Sequence, residues 1–167
     1  MKTKQLTHLE VENKKKTKEI VVVTEGIRTP ENVGMLFRVA EAFGVKKVYL
    51  VGQTPDLTNK KVQRTARSTE KEIDIQFLEE MPELIETLKK EKFKIIGLEL
   101  TNTSKKIQEI NVKKEKKIAL IIGAERFGIE QETLAKIETT VHINLFGKNS
   151  SINVVNALGI CLYEITR

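Results

Sequence analysis

The residues best suited by type and spacing to do chemistry fall in three short segments. The first is Pro30-Glu31-Asn32-Val33-Gly34-Met35-Leu36-Phe37-Arg38-Val39-Ala40. It offers an amide able to cap a helix, a glycine that admits close approach, and a guanidinium fork suited to a carboxylate or phosphate. The second is Gly123-Ala124-Glu125-Arg126-Phe127-Gly128-Ile129, where two glycines bracket a carboxylate at the end of the apolar run Ile118 to Ile122. Such a turn lets backbone N–H and C=O groups face a ligand. The third, Gly147-Lys148-Asn149-Ser150-Ser151-Ile152-Asn153, leads a loop of small polar groups into an amphipathic final helix.

Each segment also has a plainer reading. Val33, Leu36, Phe37, Ala40 and Phe43 make the i, i+3, i+4 stripe of a buried helix face. Arg38 falls about 140° from Val33 around that helix and reads equally as a solvated surface residue. Gly34 is harder to place so, because glycine in a helix costs up to ~1 kcal/mol relative to Ala unless something must come close. Glu125 near a helix N-terminus is favourable for dipole reasons alone. Ser151 is a natural N-cap, Asn153 a polar first-turn residue, and Asn32 a cap for the helix after Pro30. The apolar stripe Val154, Val155, Leu158, Cys161, Leu162 and Ile165 serves a core or a second subunit.

Several chemistries are excluded. After Val23 the chain reads Thr24-Glu25-Gly26-Ile27-Arg28, without the spacing of a dinucleotide-binding turn; the single Gly-Lys pair, Gly147-Lys148, lacks the upstream glycine of a P-loop; and no G-x-S-x-G elbow occurs. One cysteine, Cys161, and two histidines, His8 and His142, make neither a disulfide nor a zinc site, so no metal held by His and Cys is expected, while a carboxylate site for magnesium stays open. The 167 residues are 40% apolar, enough for one domain with its own core. No apolar run reaches the length of a membrane span and the first residues carry no secretory h-region, so a cytoplasmic protein is expected. Lys and Arg number 29 against 23 acidic residues, and the net charge of +6 favours an anionic partner.

The elements that must position these residues follow from the pattern. Residues 1–18 read as a basic arm or short helix, and 19–167 as one domain. Strands are expected at Ile20–Val23, Lys47–Val51, Ile73–Phe77, Phe93–Leu98, Ile118–Ile122 and Val141–Leu145, each a short Val- and Ile-rich run of the kind covered on both faces. Helices are expected at Asn32–Phe43, Pro82–Glu91, Ile129–Ile137 and Ser151–Ile165. This alternation predicts an α/β fold, a mostly parallel sheet with helices on both faces, in which ligands bind beyond the carboxyl ends of the strands.

In this order and on these elements, Asn32-x-Gly34-x-x-x-Arg38-x-Ala40, Gly123-x-Glu125-x-x-Gly128 and Ser151-Ile152-Asn153-Val154 with Ala157 resemble the three motifs of the SpoU (TrmH-like) family of RNA ribose 2'-O-methyltransferases, in the SPOUT superfamily. The similarity spans about residues 19–166. It implies a C-terminal deep trefoil knot, which nothing in composition or periodicity indicates and which chains ordinarily avoid. It also implies a homodimer and S-adenosylmethionine as methyl donor. The cofactor would lie against Leu98, Glu99, Leu100, Gly123, Ile143, Leu145, Ser151 and Ile152. Arg38, from its own chain or the partner, would face the ribose, while Asn32, Glu125, Ser151 and Asn153 would order the pocket. RNA phosphates would be met by Arg28, Lys60, Lys61, Arg64, Arg67, Arg126 and Lys148.

The chain departs from the pattern at Arg126 and Phe127, where small residues are common, at Val155-Asn156 in place of a Ser-Val pair, and at Ser68, where glycine is frequent. It also lacks the accessory N-terminal RNA-binding domain of ribosomal members, which implies a tRNA substrate more than an rRNA one. The competing expectation is an RNA-binding or assembly factor that keeps the fold without turnover. Such a descendant would be free to lose Asn32, Arg38, Glu125, Ser151 and Asn153, all of which are present.

Overall fold

The computed structural model describes residues 3–7, 10–12 and 17–167. Lys2, Lys14, Lys15 and Lys16 of the expected basic arm lie outside the described residues. Within the arm, Glu10 accepts hydrogen bonds from the Thr7 backbone N–H (2.8 Å) and from Lys4 Nζ (2.7 Å), closing a local turn. Lys18 Nζ then donates to the carbonyls of Val112 (2.9 Å) and Ile165 (3.1 Å), seating the start of the domain against its last helix.

Among the described residues seven strands form one sheet: β1 (Glu19–Glu25), β2 (Lys47–Val51), β3 (Asp74–Leu78), β4 (Lys94–Leu98), β5 (Lys105–Lys106), β6 (Lys117–Ile122) and β7 (Thr139–His142), in the order β3-β2-β1-β6-β4-β7-β5. Every pairing is parallel. The helices are α1 (Pro30–Ala42), α2 (Lys60–Ala66), α3 (Met81–Lys90), α4 (Gln131–Leu134) and α5 (Val154–Thr166). Two apolar cores sandwich the sheet. On one face Val33, Leu36, Phe37 and Ala40 of α1 meet Leu158, Cys161, Leu162 and Ile165 of α5 over Val22, Leu120 and Ile122. On the other, Leu84, Ile85 and Leu88 of α3 cover Val21, Val23 and Ile121. Each large side chain so buried contributes roughly 1.5–3 kcal/mol. Burial on both faces is why β1 and β6 read as unbroken Val/Ile runs. Among the described residues no helix is long and apolar enough to cross a membrane.

The expected α/β architecture stands, with local corrections. Helix α1 starts at Pro30 with Thr29 as N-cap, not at Asn32; proline suits the first helical position, where no N–H is needed. Helix α5 starts at Val154 with Asn153 as its cap, and Ser151 lies outside it. Strand β7 stops at His142 because its neighbour β4 ends at Leu98, opposite Val141. Ile143 to Leu145 then have no strand to pair with and turn away. The helix expected at Ile129–Ile137 shrinks to α4, since the chain tightens into i→i+3 bonds at Lys136 and Ile137 before entering β7. Lys60–Ala66, expected only as a basic stretch, is helical: the Asn59 side chain caps the Lys61 N–H at 2.9 Å, and Val62 and Ala66 bury against α1. Strand β5, two exposed lysines, carries no apolar signal at all.

Candidate functional site

The strand order reverses direction between β1 and β6, and the loops leaving their carboxyl ends meet there, as expected at such a switch point. Glu125, on the loop after β6, reaches to the start of α1. Its carboxylate accepts hydrogen bonds from the backbone N–H groups of Arg28 (3.2 Å) and Thr29 (3.0 Å) and from Asn32 Nδ2 (3.0 Å). Asn32 Oδ1 in turn accepts from Asn153 Nδ2 at 3.0 Å. Asn153 Oδ1 accepts from the N–H groups of Val155 (2.9 Å) and Asn156 (3.4 Å), capping α5. One relay thus joins residues 93 and 121 positions apart in sequence.

The direction of this relay is fixed by charge. Partial burial pushes the Glu125 carboxyl up, but hydrogen bonds from Asn32, from its own backbone N–H and from Arg28 and Thr29 outweigh it and hold the pKa at about 2. An ionised carboxylate only accepts, so the Asn32 NH2 must face it, which leaves the Asn32 oxygen to accept from Asn153 and the Asn153 oxygen to cap the helix. With its oxygens committed and so low a pKa, Glu125 is a positioning group and a poor base at neutral pH.

The glycines are explained by close approach. At Gly123 an added Cβ would overlap the Gly128 backbone, where the loop folds back in an Ala124–Gly128 bridge. Gly128 has φ +67°, and a Cβ there would overlap the Glu99 carboxylate. Glu99 is spent on the same loop, accepting the N–H groups of Leu100 and Ile129, each at 3.0 Å. Gly34 faces α2: a Cβ would stand 2.5 Å from the Val62 carbonyl oxygen and 2.8 Å from Ala66 N, and would overlap Thr65 Oγ1.

Beside the relay lies a cleft of about 420 Å³ walled by the loops after β4, β6 and β7. All eight residues expected to hold a cofactor line it: Leu98, Glu99, Leu100, Gly123, Ile143, Leu145, Ser151 and Ile152. Glu125, Asn153 and Ala157 of the motifs and Ser150 of the third segment line it too, joined by His142, which the sequence had not assigned to the site. The size and the mix of apolar side chains with exposed backbone suit a small organic ligand. Among the described residues no His, Cys, Asp and Glu cluster could hold a metal ion.

Arg38 is not part of this cleft. It sits half-buried on α1, its Nη1 3.8 Å from Met35 Sδ. The seven basic residues expected to meet RNA are all exposed. Lys60, Lys61, Arg64 and Arg67 cluster on α2 and its C-cap, with Lys61 tied to Glu31 of α1 at 3.1 Å. Arg28 stands beside Glu125, and Arg126 and Lys148 ride on the loops bordering the cleft. Sequence reasoning missed Glu25, a buried carboxylate at the end of β1 that accepts from Thr133 Oγ1 (2.6 Å) and the Glu130 N–H (2.9 Å) and anchors the start of α4. A lone acid ending an apolar strand was its only signal.

The fold and cleft define an all-parallel α/β protein with a cleft of ligand size beyond the carboxyl ends of β4, β6 and β7. Residues 19–163 match the SpoU rRNA Methylase family, and the chain belongs to it. The chain is 30% identical to the 23S rRNA (guanosine(2553)-2'-O)-methyltransferase RlmP of Bacillus subtilis, over 92% of this chain and 60% of that protein. It is 24% identical to the tRNA (guanosine(18)-2'-O)-methyltransferase of Thermus thermophilus, over 89% of this chain and 75% of that one. The AdoMet-bound rRNA methyltransferase from Sinorhizobium meliloti superposes with a TM-score of 0.81 at 25% identity, covering 90% of this chain and 56% of that structure. The chain spans about 60% of the length of the first two relatives it matches.

Proposed function

We propose that this chain is an S-adenosylmethionine-dependent RNA methyltransferase that modifies a ribose 2'-hydroxyl. The observation that carries the reading is the convergence of the three motifs, through the Glu125–Asn32–Asn153 relay, on a cleft lined by every residue expected to hold the cofactor. The glycine-tight loop of Gly123 and Gly128 and the apolar wall of Leu98, Ile143, Leu145 and Ile152 suit the base and the methylene groups of a nucleoside sulfonium. Bound there, S-adenosylmethionine supplies an electrophilic methyl group.

The chain's own part is positional. Glu125 and Asn153 lock the loops that wall the cleft against α1 and α5, so little reorganisation is left for the reaction. Arg38 is assigned the phosphate beside the target ribose and the developing charge on its 2'-oxygen, a task for a fixed fork rather than a base, since guanidinium stays protonated. Because Arg38 lies outside its own cleft, we assign this role to the Arg38 of a second copy docked through α1 and α5. Supporting that homodimer are Met35 on α1 and Ile160 and Tyr163 on α5, exposed apolar side chains on two helices that pack together. The knot belongs to the same reading. Strand β7 lies between β4 and β5, so the connection from Glu99 to Ser104 straps across the carboxyl end of β7, past which the chain must leave toward α5.

RNA affinity is assigned to phosphate contacts from α2 and the cleft-border loops. Binding of a single-stranded RNA should weaken with salt, log K falling by roughly 0.7 per phosphate neutralised for each decade of salt. A salt-independent affinity would remove the phosphate assignment. The reading as a whole is tested by mapping ribose methylation in RNA from cells with and without the gene, then restoring the missing mark with purified protein and S-adenosylmethionine. We expect the mark in transfer RNA; a mark in ribosomal RNA would change the substrate and leave the chemistry. No missing mark, with no heat of S-adenosylmethionine binding in calorimetry, would end the proposal.

A further inference from the structure

Two phenylalanines stand in solvent on the loops that border the cleft. Phe127, in the loop after β6, is 76% exposed, and Phe146, in the loop after β7, is 98% exposed. Phe127 lines the cleft, and Phe146 follows the lining residue Leu145 directly. Neither ring is part of the buried core, and both sit on loops bordering one cleft, which sets them apart from singly scattered surface apolar residues. Each loop carries a cation: the Arg126 guanidinium lies over the Phe127 ring at 5.4 Å from its centroid, and Lys148 follows Phe146 by two residues in an exposed loop.

We infer that Phe127 and Phe146 form a stacking platform for unpaired RNA bases flanking the methylated ribose. Charge and geometry commit the platform to a nucleic-acid occupant. An aromatic face with a cation beside it takes a base and its phosphate together, whereas a purely apolar partner would leave Arg126 and Lys148 to be desolvated. Every base offers a π-face, so the platform grips the strand without reading sequence, and it favours loops and single strands over duplex, whose bases are already stacked. The inference rests on the proposed RNA substrate and adds the form of that RNA at the site: splayed single strand at the cleft mouth.

The test compares a fluorescein-labelled U10 oligoribonucleotide with an abasic decamer of the same sugar-phosphate backbone, at fixed ionic strength. Wild-type protein should prefer U10. Phe127→Ala and Phe146→Ala should each weaken U10 binding about 10-fold and leave the abasic decamer unchanged. Phe146→Trp should retain the preference and Phe146→Leu should lose it, which separates a ring from mere apolar area. Both rings are exposed, so the melting temperature should hold and serves as the check on folding. Equal binding of the two decamers by wild-type protein would overturn the platform while leaving the methylation reading to its own test. Loss of the dimer in sedimentation of Phe146→Ala would overturn it in favour of a subunit contact. Weaker S-adenosylmethionine binding by Phe146→Ala, measured by calorimetry, would overturn it in favour of a cofactor lid.

Discussion

Glu125 shows how a single carboxylate orders a site without reacting in it. Held at a pKa of about 2, below the usual 4.5, it contributes stability above its unfolded pKa that is lost as pH falls through the folded value. Glu125→Gln should therefore lower the melting temperature at pH 7, modestly because the group is solvent-exposed, and the gap to wild type should close between about pH 4.5 and 2. The same variant should impair methyl transfer, since an amide cannot accept from Arg28, Thr29 and Asn32 together. A pH-independent gap would remove the charged acceptor from the account. Ser68 supplies a second residue-scale prediction. It sits at φ +71° after Arg67 at φ +54°, a left-handed pair in side-chain-bearing residues. Ser68→Gly should relieve a strain of about 1 kcal/mol, partly offset by the looser unfolded chain, and raise the melting temperature by roughly 1–3 °C.

At the scale of elements, the packing of α2 on α1 decides where the basic side chains stand relative to the relay. Gly34 is the contact that permits it. Gly34→Ala would gain helix propensity of about 1 kcal/mol, yet the added methyl collides with Val62, Thr65 and Ala66 of α2. Overpacking of this kind costs about 1–3 kcal/mol, so the collision should win in chemical denaturation. A more stable Gly34→Ala protein would mean that α2 moves freely and does not fix the site. The relay also explains why the helix starts differed from expectation. Asn32 and Ser151 have the side chains of caps, but Asn32 is turned outward to bridge Glu125 and Asn153, and the cap of α5 falls to Asn153, which the relay orients. Local capping preference yielded to a tertiary hydrogen-bond network.

For the whole molecule, the proposed role of Arg38 turns on a cleft that its own chain does not let it line. The proposed dimer makes a complementation experiment decisive. Arg38→Ala and Asn153→Ala should each be inactive, and an equimolar mixture of the two should recover about a quarter of wild-type turnover, because half the dimers are mixed and each holds one complete site. No recovery would return Arg38 to its own subunit. Tyr163→Glu or Ile160→Glu should dissociate the dimer in sedimentation and abolish turnover while S-adenosylmethionine still binds. Monomers that methylate RNA would dismiss the shared site.

By themselves the residues determined a good deal. The apolar runs predicted six of the seven strands to within a few positions, because burial on both faces writes itself into composition. The second and third motifs and the loop after β4 wall the cleft, while Gly34 and Arg38 of the first lie outside it. What only the tertiary structure decided were contacts between distant segments. Asn32 and Asn153 became a relay, Gly34 proved to be a seat for α2, and the two-residue β5 formed only because β7 was there to pair with it. Such roles depend on where the fold brings atoms together in space, and no local window of sequence carries that distance.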